Sequence, residues 1–131
     1  FEGSGTEGPG ITYVAGYGQS GWYTKIGNRV WVTCYIQTFN PYNQSTWTGN
    51  CHVTGLPFTS DSTSGNIGGG SATQEHGWST LHVNFVQVQA GVTYCRLADV
   101  LGARNLITHV QSGAETALAF SAHYVTNSVP L

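Results

Sequence analysis

The sequence offers six carboxylates and five histidines for acid–base chemistry, and their placement argues against catalysis. The carboxylates are Glu2, Glu7, Asp61, Glu75, Asp99 and Glu115. The first two fall in a glycine-rich stretch. No two of the others share a strand at a spacing that would make them the acid and base of glycoside hydrolysis. Glu75 and His76 are adjacent, and neighbours on a strand point to opposite faces. The chain has no Gly-x-Ser-x-Gly nucleophile turn, no Walker loop and no His-Glu-x-x-His. Gly16, Gly18 and Gly21 fit the spacing of a dinucleotide fingerprint, but a strand follows them where that motif requires a helix. The reading is a non-enzymatic chain with no catalytic residue and no cofactor.

Metal binding is weakly supported. His82 and His123 lie on the less apolar faces of two long strands, and three copies of one His around a threefold axis could take a divalent ion. A hydrogen-bonded or merely exposed His is the plainer reading, and no metal site is assigned. Cys34, Cys51 and Cys95 are an odd set without zinc-ligand spacing. Cys34 and Cys95 sit in apolar strand patterns and read as small buried hydrophobes; a bridge from Cys51 to either stays open.

Binding is better served. Sugars are held by apolar ring faces on aromatics, with amides and hydroxyls around them. The polar loop Asn40–Gly49 supplies those types in Asn40, Tyr42, Asn43, Gln44 and Trp47, the candidate ligand-binding residues. Trp22, Tyr23 and Trp78 form a possible second aromatic cluster. The same side chains could equally fold back onto the core.

The elements that must carry these residues alternate with a period of two. From Asn28 to Phe39, Val30, Val32, Cys34 and Ile36 fall on one face, while Arg29, Trp31, Thr33, Tyr35 and Gln37 fall on the other. Thr80–Gln89 starts with Leu81, Val83 and Phe85 on one face. It then changes phase to Val86 and Val88, which marks either a bulge after Phe85 or a strand apolar on opposite faces at its two ends. Thr116–Thr126 sets Leu118, Phe120, Ala122 and Tyr124 against Ala117, Ala119, Ser121, His123 and Val125. Shorter strands are expected at Ile11–Tyr17, Trp22–Ile26, Asn50–Thr54 and Val92–Leu97, separated by Gly-containing turns. The Ser/Thr/Gly-rich stretch Thr59–Gln74 reads as a long loop. Only Ala98–Val110 could hold a short helical turn. The pattern predicts an all-β fold, an antiparallel β-sandwich of the jelly-roll kind over residues 11–131. Residues 1–10 read as a flexible linker or the remnant of a longer chain, and the absence of Met with Phe1 at the start reads as a piece of a longer protein.

The outward faces are poorly suited to water. Trp31 and Tyr35 stand on the first long strand, Ala119 and His123 on the last, and Val86 and Val88 join them if no bulge intervenes. These six are the candidate subunit interface, and burying such faces is worth several kcal/mol per subunit at about 25 cal/mol per Å². One sheet is therefore expected to pack against other subunits.

Composition agrees with a quiet, uncharged surface. Only 8% of the 131 residues are charged, against about 25% in an ordinary domain, and the net charge is −2. That balance excludes a nucleic-acid partner held by its phosphates. The apolar runs are too short to insert in a membrane.

The run Gly21-Trp22-Tyr23-Thr24-Lys25-Ile26-Gly27-Asn28-Arg29-Val30-Trp31-Val32, followed by Thr54-Gly55-Leu56-Pro57-Phe58-Thr59-Ser60, resembles the C-terminal β-domains of tailed-phage tail fibres and related virion adhesins. There a G-x-Y-T-x-I-G-N-x-V strand pair precedes G-L-P-F, and a last strand ends in S-x-x-Y, here Ser121-Ala122-His123-Tyr124. The resemblance spans roughly Tyr13–Thr126. It implies a trimeric jelly roll at a fibre tip on the virion, attached to a host surface glycan or protein. The high Cys and His content departs from that pattern. The competing readings are a structural virion decoration or baseplate module without receptor binding, and a carbohydrate-binding module of a secreted enzyme.

Overall fold

A computed structural model describes residues 2–3, 15–16, 18–38, 50–63, 66–78, 83–99 and 112–127. The described strands are β1 (Glu2–Gly3), β2 (Gln19–Ile26), β3 (Arg29–Gln37) and β4 (Cys51–Thr54), then β5 (Asn66–Trp78), β6 (Phe85–Gln89), β7 (Tyr94–Ala98) and β8 (Ser112–Val125). All pairings are antiparallel. The all-β, antiparallel expectation is met. In place of the two sheets of a sandwich, the described strands form one, in the order β1-β4-β7-β6-β5-β8-β3-β2, curled into a half-barrel. Curling serves the purpose a second sheet would serve, because the two flanks of one sheet come to cover a shared core. No helix among the described residues is long and apolar enough to cross a membrane.

The concave side holds that core. Val30, Val32 and Ile36 of β3 pack with Leu118, Phe120, Ala122 and Tyr124 of β8. Val53, Val86, Val88 and Leu97 join them from β4, β6 and β7. The alternation read in β3 and β8 therefore assigns the core face correctly. In register, Val32 lies opposite Ala122 and Ile36 opposite Leu118, so the two faces match residue for residue. The β2–β3 hairpin turns at Gly27–Asn28, with Gly27 at a φ of +61°. Cys51 and Cys95 are buried, Cys34 is partly buried, and all three are free thiols.

Three expectations change. The glycine-rich stretch is the start of β5, a strand in the middle of the sheet between β6 and β8. A Cβ on Gly68 would strike the His123 carbonyl and the Tyr124 side chain, and one on Gly70 would come within 2.6 Å of the Ala122 Cα. The strand is built from glycine because β8 approaches too closely for anything larger. Second, Glu2 and Gly3, from the stretch read as a linker, pair with His52 and Cys51. Third, Val86 and Val88 face the core and do not belong to an outward interface. Val83 is buried as well, so the change of phase falls at Asn84–Phe85, before the regular part of β6 begins.

A segment without regular structure, residues 55–63, straps one end of the sheet. The Gly55 and Leu56 amides both donate to the Thr93 carbonyl, at 3.1 and 3.0 Å. Ser60 is fully buried, donates its N–H to Val92 at 2.9 Å, and accepts the Val92 N–H on its hydroxyl at 2.9 Å. The Thr126 hydroxyl donates to the Thr59 carbonyl at 2.8 Å. Leu56 and Phe58 pack against the core from this strap.

Candidate functional site

Two features stand out, one on each side of the β2–β3 hairpin. Residues directly opposed in an antiparallel pair share a face. Trp22 is opposite Thr33, Thr24 opposite Trp31, and Ile26 opposite Arg29, so Trp22, Ile26 and Trp31 all lie on the convex side. They are 69%, 67% and 42% exposed, a cluster of large apolar side chains at an edge strand that carries a single charge, Lys25. Farther along the same face the surface turns polar. Ser71, Thr73 and Ser121 are exposed, and the Thr33 and Ser121 hydroxyls lie 3.4 Å apart.

Of the expected interface residues, Trp31, Tyr35, Ala119 and His123 do share the convex face, on β3 and β8. Trp31 lies opposite His123 and Tyr35 opposite Ala119. The Tyr35 hydroxyl donates to Gln37 Oε1 at 3.0 Å. The apolar weight of the face lies nearer the edge than these four residues indicate, in Trp22 and Ile26, which were not assigned to it. Their signal was present in the sequence, because the Gly27–Asn28 turn fixes the register that puts them beside Trp31.

On the concave side a cleft of about 630 Å³ opens between β2 and the residues that follow β4. One lip is Gln19, Gly21 and Tyr23; the other is Thr54, Leu56 and Pro57. Its floor includes Val32, Cys34, Ile36, Val53 and Phe120, and among the described residues no charged side chain lines it. Tyr23 is 57% exposed and meets Phe58 edge-on with ring centroids 5.5 Å apart. Lys25 Nζ sits 5.4 Å over the same Phe58 ring while it donates to the Gly27 carbonyl at 2.7 Å. The ammonium is thus held outside the cleft. Burial pushes the Cys34 thiol up to about 11, so at neutral pH it is an unionised, apolar part of the floor.

The suggested cluster of Trp22, Tyr23 and Trp78 is not one site. Trp22 and Tyr23 are neighbours on β2 and project to opposite faces; the Trp78 side chain lies outside the described residues, as do Asn40, Tyr42, Asn43, Gln44, Trp47 and His82. Among the described residues, no three of His, Cys, Asp and Glu are grouped so as to hold a metal ion. His52, on the convex side, stacks on Tyr94 at 4.1 Å, an aromatic pairing that a four-residue strand did not advertise.

No family model, curated protein or solved structure matches this chain. What the chain does is therefore argued from its own residues.

Proposed function

We propose that the chain is a non-enzymatic domain of a virion fibre tip that assembles as a trimer and attaches to a host surface glycan. The observation that carries the reading is the exposed cluster of Trp22, Ile26 and Trp31 on the edge hairpin. Water-exposed tryptophans grouped at a sheet edge mark an association surface. Covering them returns several kcal/mol per subunit at about 25 cal/mol per Å². The motif segments support the reading further. The Trp22–Val32 run is the hairpin itself, and the Leu56-Pro57-Phe58 strap is tied to Tyr124 of the last strand.

Host-cell or glycan-array binding of the purified chain, with its mass determined on the same sample, tests this. A trimer that binds a host surface is expected. A trimer that binds none points to a decoration or baseplate module. A monomer that binds glycans points to a carbohydrate-binding module.

A further inference from the structure

We propose that the concave cleft beside β2 binds a neutral, N-acetylated sugar. In this arrangement the acetamido group pairs with the outer edge of β2, the last of the described strands in the sheet, and its methyl seats above Cys34. The proposal deepens the carbohydrate-attachment reading above and rests on it.

Four observations converge. Among the described residues no charged side chain lines the cleft, so an ionic ligand would lose its hydration without gaining a partner from them. Among the described strands β2 ends the sheet, with β3 as its one neighbour. Alternate residues of an edge strand turn N–H and C=O away from their partner strand, and a secondary amide complements both groups at once. Gly21 lies opposite Cys34 in register. A Cβ there would meet only the Thr33 carbonyl at 3.3 Å and the Cys34 Cα at 4.0 Å. The Thr33 carbonyl crowds the Cβ position itself, and with no other described atom within 4 Å the space beyond it is open to a ligand methyl over an apolar floor. Finally, Gln19 and Thr54 are exposed on the two lips, where an amide and a hydroxyl can serve sugar hydroxyls beside the Tyr23 ring.

An extended peptide offers the same amide chemistry. It would use a continuous run of edge backbone, whereas among the described residues the cleft follows β2 from Gln19 to Tyr23. A short, ring-shaped ligand uses the polar lips and the aromatic ring better.

Cys34 is the partly exposed thiol, with Cys51 and Cys95 buried, so its alkylation by iodoacetamide at pH 8.5, where a small thiolate fraction forms, reports on the cleft. The β1,4-linked dimer of N-acetylglucosamine, or N-acetylgalactosamine, is expected to slow that alkylation at least fivefold. Cellobiose, with hydroxyls in place of acetamido groups, is expected to leave the rate unchanged. Calorimetric affinity for the protecting sugar is expected to fall at least tenfold in Gly21→Val, which fills the gap. It should fall severalfold in Gln19→Ala, a change at an exposed position that spares the fold. Protection by neither acetylated sugar, equal protection by cellobiose, or unaltered affinity in Gly21→Val would overturn the proposal. So would stronger protection by the uncharged peptide N-acetyl-valyl-valinamide, which would give the cleft to a β-strand. The readout is independent of assembly. Its failure leaves mass and cell binding as they stand, and a monomeric or non-adhering protein leaves this titration as it stands.

Discussion

The Tyr124 hydroxyl closes a two-bond bracket on the backbone of Phe58, donating to its carbonyl at 2.9 Å and accepting from its N–H at 3.3 Å. One buried side chain of the last strand thereby fixes the strap that forms a lip of the cleft. The residues are 66 apart in sequence, so the bracket forms only when β8 is in place.

Tyr124→Phe keeps the ring in the core and deletes both bonds. The Phe58 carbonyl and N–H then lose their partner in a part-buried site, at a cost of about 1–3 kcal/mol. The urea midpoint is expected to fall accordingly, with faster amide exchange at Phe58. An unchanged midpoint and unchanged exchange would show that the strap is held by its other bonds, those of Gly55, Leu56, Ser60 and Thr126, without the Tyr124 bracket.

Gly70→Ala places a methyl against the Ser121 carbonyl and the Ala122 Cα. Strands β5 and β8 must separate to admit it, costing roughly 1–3 kcal/mol as overpacking does or preventing soluble expression. Gly21→Ala, at the open edge, is expected to cost less than 1 kcal/mol, about the size of an ordinary surface change. Thermal melts of the two variants side by side check the contrast, and equal losses would contradict it.

Stability should decline in alkali. Burial pushes the Cys51 and Cys95 thiols from 9.0 up to about 12, and burial also raises the Tyr124 hydroxyl. Below pH 9 the thiols are protonated in both folded and unfolded chains, so their contribution is fully present. Above it the unfolded chain releases protons that the folded chain retains, and stability falls by about 1 kcal/mol per pH unit for each of the two enclosed thiols. Urea midpoints at pH 8, 10 and 11 follow this loss, and Cys51→Ala is expected to make the curve shallower. A midpoint constant to pH 11 would contradict the buried placement.

Much of the scaffold could be read from alternation. Val30, Val32 and Ile36 against Arg29, Trp31 and Thr33 define the two faces of β3 without any tertiary information, and Leu118 to Tyr124 do the same for β8. Strand β5 could not be read this way. Gly68, Gly69 and Gly70 have the composition of a loop, and their strand conformation is imposed by the closeness of β8, a cause outside the segment. The orientation of Val86 and Val88 was visible only as a choice, because it depends on where the chain kinks near Phe85. The cleft was invisible for a similar reason. It requires Gly21 to lie opposite Cys34 on the last of the described strands in the sheet, and both facts belong to register and sheet order. The polar loop that drew attention as a binding site, Asn40–Gly49, falls outside the described residues.

The convex cluster can be removed without touching the core. Trp22→Ser with Trp31→Ser replaces two exposed side chains, and the monomer's stability is expected to change by less than about 1 kcal/mol.

Multi-angle light scattering of the unmodified chain against this double variant tests self-association most directly. The unmodified protein is expected at three times the 14.0 kDa chain mass, and the double variant at the mass of a single chain with unchanged circular dichroism. An unmodified chain that elutes at the mass of one copy across micromolar to millimolar concentrations would contradict it.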